Sequence, residues 1–184
     1  MTNTGVWHRG GPAYLLGVWA MMAAMTTRLT HDLTYDAPLA DVAAMLADPA
    51  FREEVCDSLG VLRSQVRVEG SGAGMRVSID QTQAAKGIPA VAAKIVGDEV
   101  EYAQVERWTT LQHADLTMAI PGKPGDISGT IDLTEAGGTT TDSIAMDIKV
   151  GIPFVGGKIE GLIADMLRAA LEVENKVGRA YLSR

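Results

Sequence analysis

The segment from Val155 to Leu182 constrains this chain more than any other. At about 100° per residue, Ile159, Ile163, Met166, Ala170, Val173, Val177 and Tyr181 fall on one stripe. Asp165, Arg168, Glu172, Asn175, Lys176 and Arg179 fall on the other side. The pattern predicts a single helix of roughly 42 Å, taking about 1.5 Å per residue. So long an apolar stripe needs an equally long surface to cover it, and a sheet crossed from end to end supplies one.

The entry to that helix, "GIPFVGGKIEGLIADML" from Gly151 to Leu167, comes close to a phosphate-binding loop. Such a loop requires G-x-x-x-x-G-K-[ST] between a strand and a helix. Here Gly157 occupies the lysine position after Gly151 and Gly156. Counting back from Lys158, Ile152 replaces the first glycine and Ile159 the magnesium-binding hydroxyl. A strand-to-helix hinge whose glycines permit close packing accounts for every residue, so the nucleotide reading is set aside.

Upstream, Leu29, His31, Leu33 and Tyr35 alternate with polar residues, the mark of a half-buried strand. "PLADVAAMLA" and "AFREEVCDSLG" read as two short helices separated by Asp48-Pro49. Alternating runs then follow one another to Val150, with Met75, Val77 and Ile79 aligned in one and Ile144, Met146, Ile148 and Val150 in the last. "GSGAG" lies between two such runs, so it connects a hairpin; a dinucleotide loop would lead into a helix. Gly137-Gly138 supplies another hairpin turn, and "GIPAVAAKIVGDE" is an apolar insertion read as a short helix ending near Gly97. The order is strand, two short helices, about six strands and one long helix. It predicts an α+β architecture of antiparallel hairpins with the helix laid across one face, leaving a cavity between them.

Composition narrows the partners. A length of 184 residues, 47% of them apolar, suffices for one domain with a real core. A net charge of −7 argues against nucleic acid and against anionic lipid surfaces, both of which select clustered Lys and Arg. The single cysteine, Cys56, forms no intramolecular disulfide and suits a cytoplasmic, reducing setting. Ala13 to Ala24 is an apolar run of 12 residues, short of the roughly 20 that span a bilayer. Met22 spoils a signal-peptidase pattern before Ala24, and Met25 opens a plain domain start. Residues 1–24 are therefore expected to lie outside the domain, as an over-extended start, with a signal or anchor and a genuine extra element as alternatives.

Candidate site residues are few. His8, His31 and His113 lack metal-site spacing, and no cofactor motif is present, so neither a metal nor a cofactor is expected. His31 reads first as a hydrogen-bonded core residue and second as a ligand contact. His113, beside Asp115, reads as solvated. Tyr102, Gln104, Glu106 and Trp108 share one strand face, assigned here to the outer surface of the sheet in preference to a pocket wall. Glu174 borders the apolar stripe of the long helix, where it either snorkels or serves a ligand as orienting group or base. Met75, Met118, Met146 and Met166 converge on the sheet–helix space and suit both ordinary packing and an adaptable pocket. No nucleophile elbow, Cys–His pair or close carboxylate pair specifies an enzyme.

The order of elements resembles the helix-grip fold of the START-like (SRPBCC) superfamily. "RLTHDLTYDAPLADVAAMLADPAFREEVCDSLG" and "GIPFVGGKIEGLIADML" resemble the opening and the last-helix entry of an actinobacterial domain family of uncharacterised function within it. The likeness covers Met25 to Ser183, which places the domain at residues 25–184. It implies a curved antiparallel sheet of about seven strands wrapped around the C-terminal helix, with a hydrophobic pocket between them. The implied activity is non-catalytic binding or carriage of a lipid, sterol-like or polyketide-like molecule. The expected ligand-binding set is His31, Tyr35, Met75, Met118, Met146, Ile163, Met166, Ala170 and Glu174, with His31, Tyr35 or Glu174 orienting the ligand and Met166→Trp expelling it. A polyketide cyclase or dehydratase is the enzymatic alternative and needs an acid or base inside the pocket. A protein-interaction module using an exposed patch around Trp108 is the third. Neither nucleic acid nor stable membrane insertion is expected, and the oligomeric state is left open.

Overall fold

The computed structural model describes residues 26–85 and 97–184. The N-terminal extension and the helix expected in the "GIPAVAAKIVGDE" insertion lie outside the described residues. The remaining elements follow the predicted order: β1 (Thr27–Tyr35), α1 (Leu39–Leu46), α2 (Pro49–Ser58), β2 (Arg63–Glu69), β3 (Arg76–Ala84), β4 (Glu99–Trp108), β5 (His113–Ala119), β6 (Asp126–Ala136), β7 (Thr139–Lys149) and α3 (Gly156–Leu182).

All seven strands form one antiparallel sheet in the order β1-β7-β6-β5-β4-β3-β2. Every neighbouring pair from β2 to β7 is sequential. β1 pairs with β7, so the chain must travel from one sheet edge to the other before β2, and α1 and α2 lie on that path. The starts of α1 and α2 are each fixed by a carboxylate. Asp48 accepts from Ala50 N at 2.9 Å with Pro49 in the first turn of α2, and Glu135 accepts from Leu39 N at 2.8 Å. The β6–β7 hairpin turns on Gly137 and Gly138, whose φ values of 61° and 80° are those a tight two-residue turn demands.

α3 lies against β1 and β7 and reaches α1 and α2. Polar bonds fasten it along its length. Glu160 accepts from Thr27 Oγ1 at 3.0 Å and from Val150 N at 2.9 Å, Asn175 donates to Thr34 O at 3.1 Å, and the Tyr181 hydroxyl donates to Asp48 at 2.6 Å. Its packed stripe is Gly156, Glu160, Ala164, Leu171, Val177 and Gly178. Except for Val177, this stripe is turned by about 90° from the one predicted, at about 100° per residue. The reason is close approach. A Cβ on Gly178 would come within 2.7 Å of the Tyr35 ring, and one on Gly156 within 2.6 Å of Val150 O. Small residues bring the helix down onto β1, and the larger apolar flank points sideways.

The hinge reading of Gly151–Gly157 holds, since Gly156 needs its missing side chain for packing and α3 starts there. Within this hinge Phe154 has a φ of 65° and a fully exposed ring.

Candidate functional site

The sideways flank of α3 faces a cavity of about 400 Å³ between the helix, α2 and the sheet. Along most of its length the wall is Leu, Ile, Val and Met, contributed by β5, β6, β7 and α3 because each strand presents alternate residues to that side. It shares Met118, Ile120, Ile127 and Ile163 with a smaller apolar cavity of about 60 Å³.

One region of the wall is ionic. Arg52, 4% exposed on α2, donates through Nε to Leu46 O at 2.9 Å, through Nη2 to Glu106 at 2.8 Å and through Nη1 to Glu174 at 3.3 Å. Glu106 is wholly buried on β4 and also accepts from Trp108 Nε1 at 3.0 Å and Gln104 at 2.9 Å. Asp142 on β7 is 1% exposed, and its Oδ1 has no hydrogen-bond partner among the described residues. Arg52, Glu106, Asp142 and Glu174 all line the cavity.

One guanidinium therefore stands among three carboxyls and bonds two of them. Three carboxylates with one cation would leave uncompensated buried charge, which a protein avoids by holding protons. Burial pushes the Asp142 carboxyl well above the ordinary carboxylate range, and Glu174 adds to the rise while Arg52 opposes it. Burial likewise raises Glu174, against the pull of Arg52 and with the push of Glu106. Burial raises the Tyr35 hydroxyl too, reinforced by Glu174 and Asp142. The arrangement offers hydrogen-bond donors and a proton source in an otherwise greasy chamber.

Of the sequence-predicted set, Met118, Met146, Ile163, Met166, Ala170 and Glu174 meet on this wall. His31, Tyr35 and Met75 do not. His31 sits half-buried on the inward side of β1, opposite Ile144, on the part of the sheet that α3 covers. Tyr35 is sealed beneath Gly178, and Met75 is buried beside the start of β3, its carbonyl accepting from Trp108 N at 2.9 Å. Glu174 does not snorkel to solvent; it bonds to Arg52.

The Tyr102–Trp108 face also requires correction. It points inward: Trp108 is 2% exposed, and Tyr102, Gln104 and Glu106 line the cavity. The alternation was read correctly but assigned to the wrong side of the sheet. His113 stands on the outer face, its Nδ1 2.6 Å from Asp132, and that contact raises its pKa. Arg52 and Asp142 were missed, although each carried a signal. Arg52 interrupts the Phe51–Val55–Cys56 face, and Asp142 continues the Ile144–Met146–Ile148 stripe. Among the described residues no group of His, Cys, Asp and Glu is placed to hold a metal ion, and no helix is long and apolar enough to cross a membrane.

Several solved structures share this fold. A START superfamily protein from Mycobacterium smegmatis matches with a TM-score of 0.55 at 9% identity, covering 85% of this chain and 97% of that one. The Zhui aromatase/cyclase from Streptomyces sp. R1128 matches with a TM-score of 0.54 at 12% identity, covering 86% and 92%. Norcoclaurine synthase from Thalictrum flavum, in complex with dopamine and hydroxybenzaldehyde, matches with a TM-score of 0.56 at 16% identity, covering 100% and 98%. These likenesses show a shared helix-grip fold. No curated protein matches by sequence. The family described as "Protein of unknown function (DUF2505)" matches residues 30–182, nearly the whole described domain, and the chain belongs to that family.

Proposed function

We propose that this protein binds and carries an apolar small molecule, a lipid, sterol-like or polyketide-like compound, in the cytoplasm. The observation that carries the reading is the cavity of about 400 Å³ walled by Ile, Leu, Val and Met beside α3. That volume falls in the roughly 300–1,000 Å³ range of small-molecule sites. Enclosing about 200 Å² of ligand apolar surface is worth roughly 5 kcal/mol before association costs. Met118, Met146, Ile163, Met166 and Ala170 would touch the ligand body, and Glu174 its polar end. The neighbours of this fold that hold or transform small molecules support the reading. Native mass spectrometry of protein purified from its own host tests it, alongside displacement of a fluorescent apolar dye. A retained apolar molecule and micromolar dye binding are expected. Protein that is empty and binds no fatty acid, sterol or polyketide probe overturns the reading.

A second reading, a cyclase- or dehydratase-like enzyme, draws support from Glu174 and Asp142, carboxyls whose protonated forms are favoured at the cavity wall. It predicts that Glu174→Gln abolishes turnover of a polyketide-like substrate and leaves its binding within about threefold. The interaction-module alternative loses its basis, because Trp108 is buried.

A further inference from the structure

The cavity wall holds three carboxyls and, among the described residues, one cation. Arg52 gives its guanidinium to Leu46 O, Glu106 and Glu174, and among the described residues no cation is left to bond Asp142. Asp142 Oδ1 is buried and unpartnered among the described residues, and so is Gln81 Oε1 on β3. Both residues line the cavity. The orphaned polar atoms that line the cavity are thus acceptors, the third orphan, the Tyr35 hydroxyl, lying outside the lining; a buried acceptor left unsatisfied is costly. An occupant that donates to Asp142 removes this cost, and one that brings positive charge also balances the third carboxyl.

We propose that the ligand is an apolar molecule with a protonated amine, whose ammonium sits against Asp142 while its hydrocarbon body fills the methionine- and isoleucine-lined part of the chamber. The proposal rests on the binding reading above and specifies the head-group chemistry of that site. An ammonium–carboxylate hydrogen bond away from water is among the stronger kinds a protein makes. A carboxylate ligand would meet Asp142, Glu106 and Glu174 against a single guanidinium that is already engaged. The groups whose charge or hydroxyl acts on Asp142 are Arg52 from α2, Glu106 from β4, Glu174 from α3, Tyr35 from β1 and, from the outer face of the sheet and more weakly, Asp132 on β6. Burial favours the protonated form of the Asp142 carboxyl; an arriving ammonium favours the ionised form, so the proton passes to the buffer while the ammonium keeps its own.

The test compares n-decylamine, n-decanol and n-decanoate, which share one chain and differ in head group, by titration calorimetry in two buffers of different ionisation enthalpy. The amine is expected to bind about tenfold tighter than the alcohol, and the carboxylate weakest of the three. Amine binding should release a proton to the buffer, and alcohol binding none. In Asp142→Asn the amine should fall to the affinity of the alcohol. Should that variant fail to fold, the wild-type series decides alone. An amine that binds no tighter than the alcohol overturns the head-group proposal and leaves the apolar cavity reading standing. A carboxylate that binds best overturns it too, transferring the head group to Arg52. If none of the three binds, the cavity reading fails and this proposal fails with it.

Discussion

Arg52 holds together groups that would otherwise be incompatible with burial. Removing it strands Glu106 and Glu174 without their cation, and breaking a buried pair from one side costs about 3–5 kcal/mol. Arg52→Ala should lower the urea-unfolding free energy by that amount. Arg28, whose pair with Asp147 lies at the surface with side chains 62% and 46% exposed, should lose less than about 1 kcal/mol when replaced by Ala. Asp142 behaves in the opposite sense. A carboxyl raised in the folded state binds more protons there than in the unfolded chain. Its contribution is therefore whole below its ordinary value of 3.8 and is lost as pH rises through the folded value. Glu174 acts in the same direction from 4.5 upward. Asp142→Asn should remove part of this slope, so that the variant melts above wild type at pH 8 and no longer does so at pH 4. Thermal scans across pH would read this, each kcal/mol moving the midpoint by about 2–4 °C in a chain of this size.

At the level of elements, α3 was legible as a long amphipathic helix, but the side it packs was not. The apolar stripe from Ile159 to Tyr181 is the one a hydrophobic pattern selects. The helix instead seats mainly its small residues and Glu160 on the sheet, because Gly156, Ala164 and Gly178 allow the backbone to come close. Two glycines of this helix separate the two effects. A Cβ on Gly161 meets nothing within 4 Å, so Gly161→Ala should stabilise by about 0.5–1 kcal/mol through helix propensity alone. A Cβ on Gly178 meets the Tyr35 ring at 2.7 Å and Met45 Cε at 3.1 Å, so Gly178→Ala should destabilise by about 1–2 kcal/mol despite the same propensity gain. Equal shifts from both substitutions in chemical denaturation would show that packing at Gly178 imposes no constraint.

Across the whole molecule, a helix rotated in this way leaves its greasy flank and the inner faces of β5 to β7 facing each other with room between them. Ala170 and Met166 both stand on that wall, but Met166, 38% exposed, lies at its solvent edge. A tryptophan at position 170 should fill the chamber and weaken apolar-dye binding at least tenfold, with a thermal midpoint within a few degrees of wild type. Met166→Trp should do less, since an exposed residue can turn its indole to solvent. Fluorescence titration of both variants distinguishes plugging from general damage. By itself, the sequence determined the order of elements, the hairpin turns at Gly137-Gly138 and the hinge before α3, because alternation, helical period and glycine conformation are local properties. Only the tertiary structure decided that Tyr102 to Trp108 face inward and that Arg52 meets Glu106, 54 residues away. It alone decided, too, that Asp142 Oδ1 is left without a partner among the described residues. A strand's period of two separates its faces without saying which is covered, and a charge balance exists only once distant segments share one low-dielectric space.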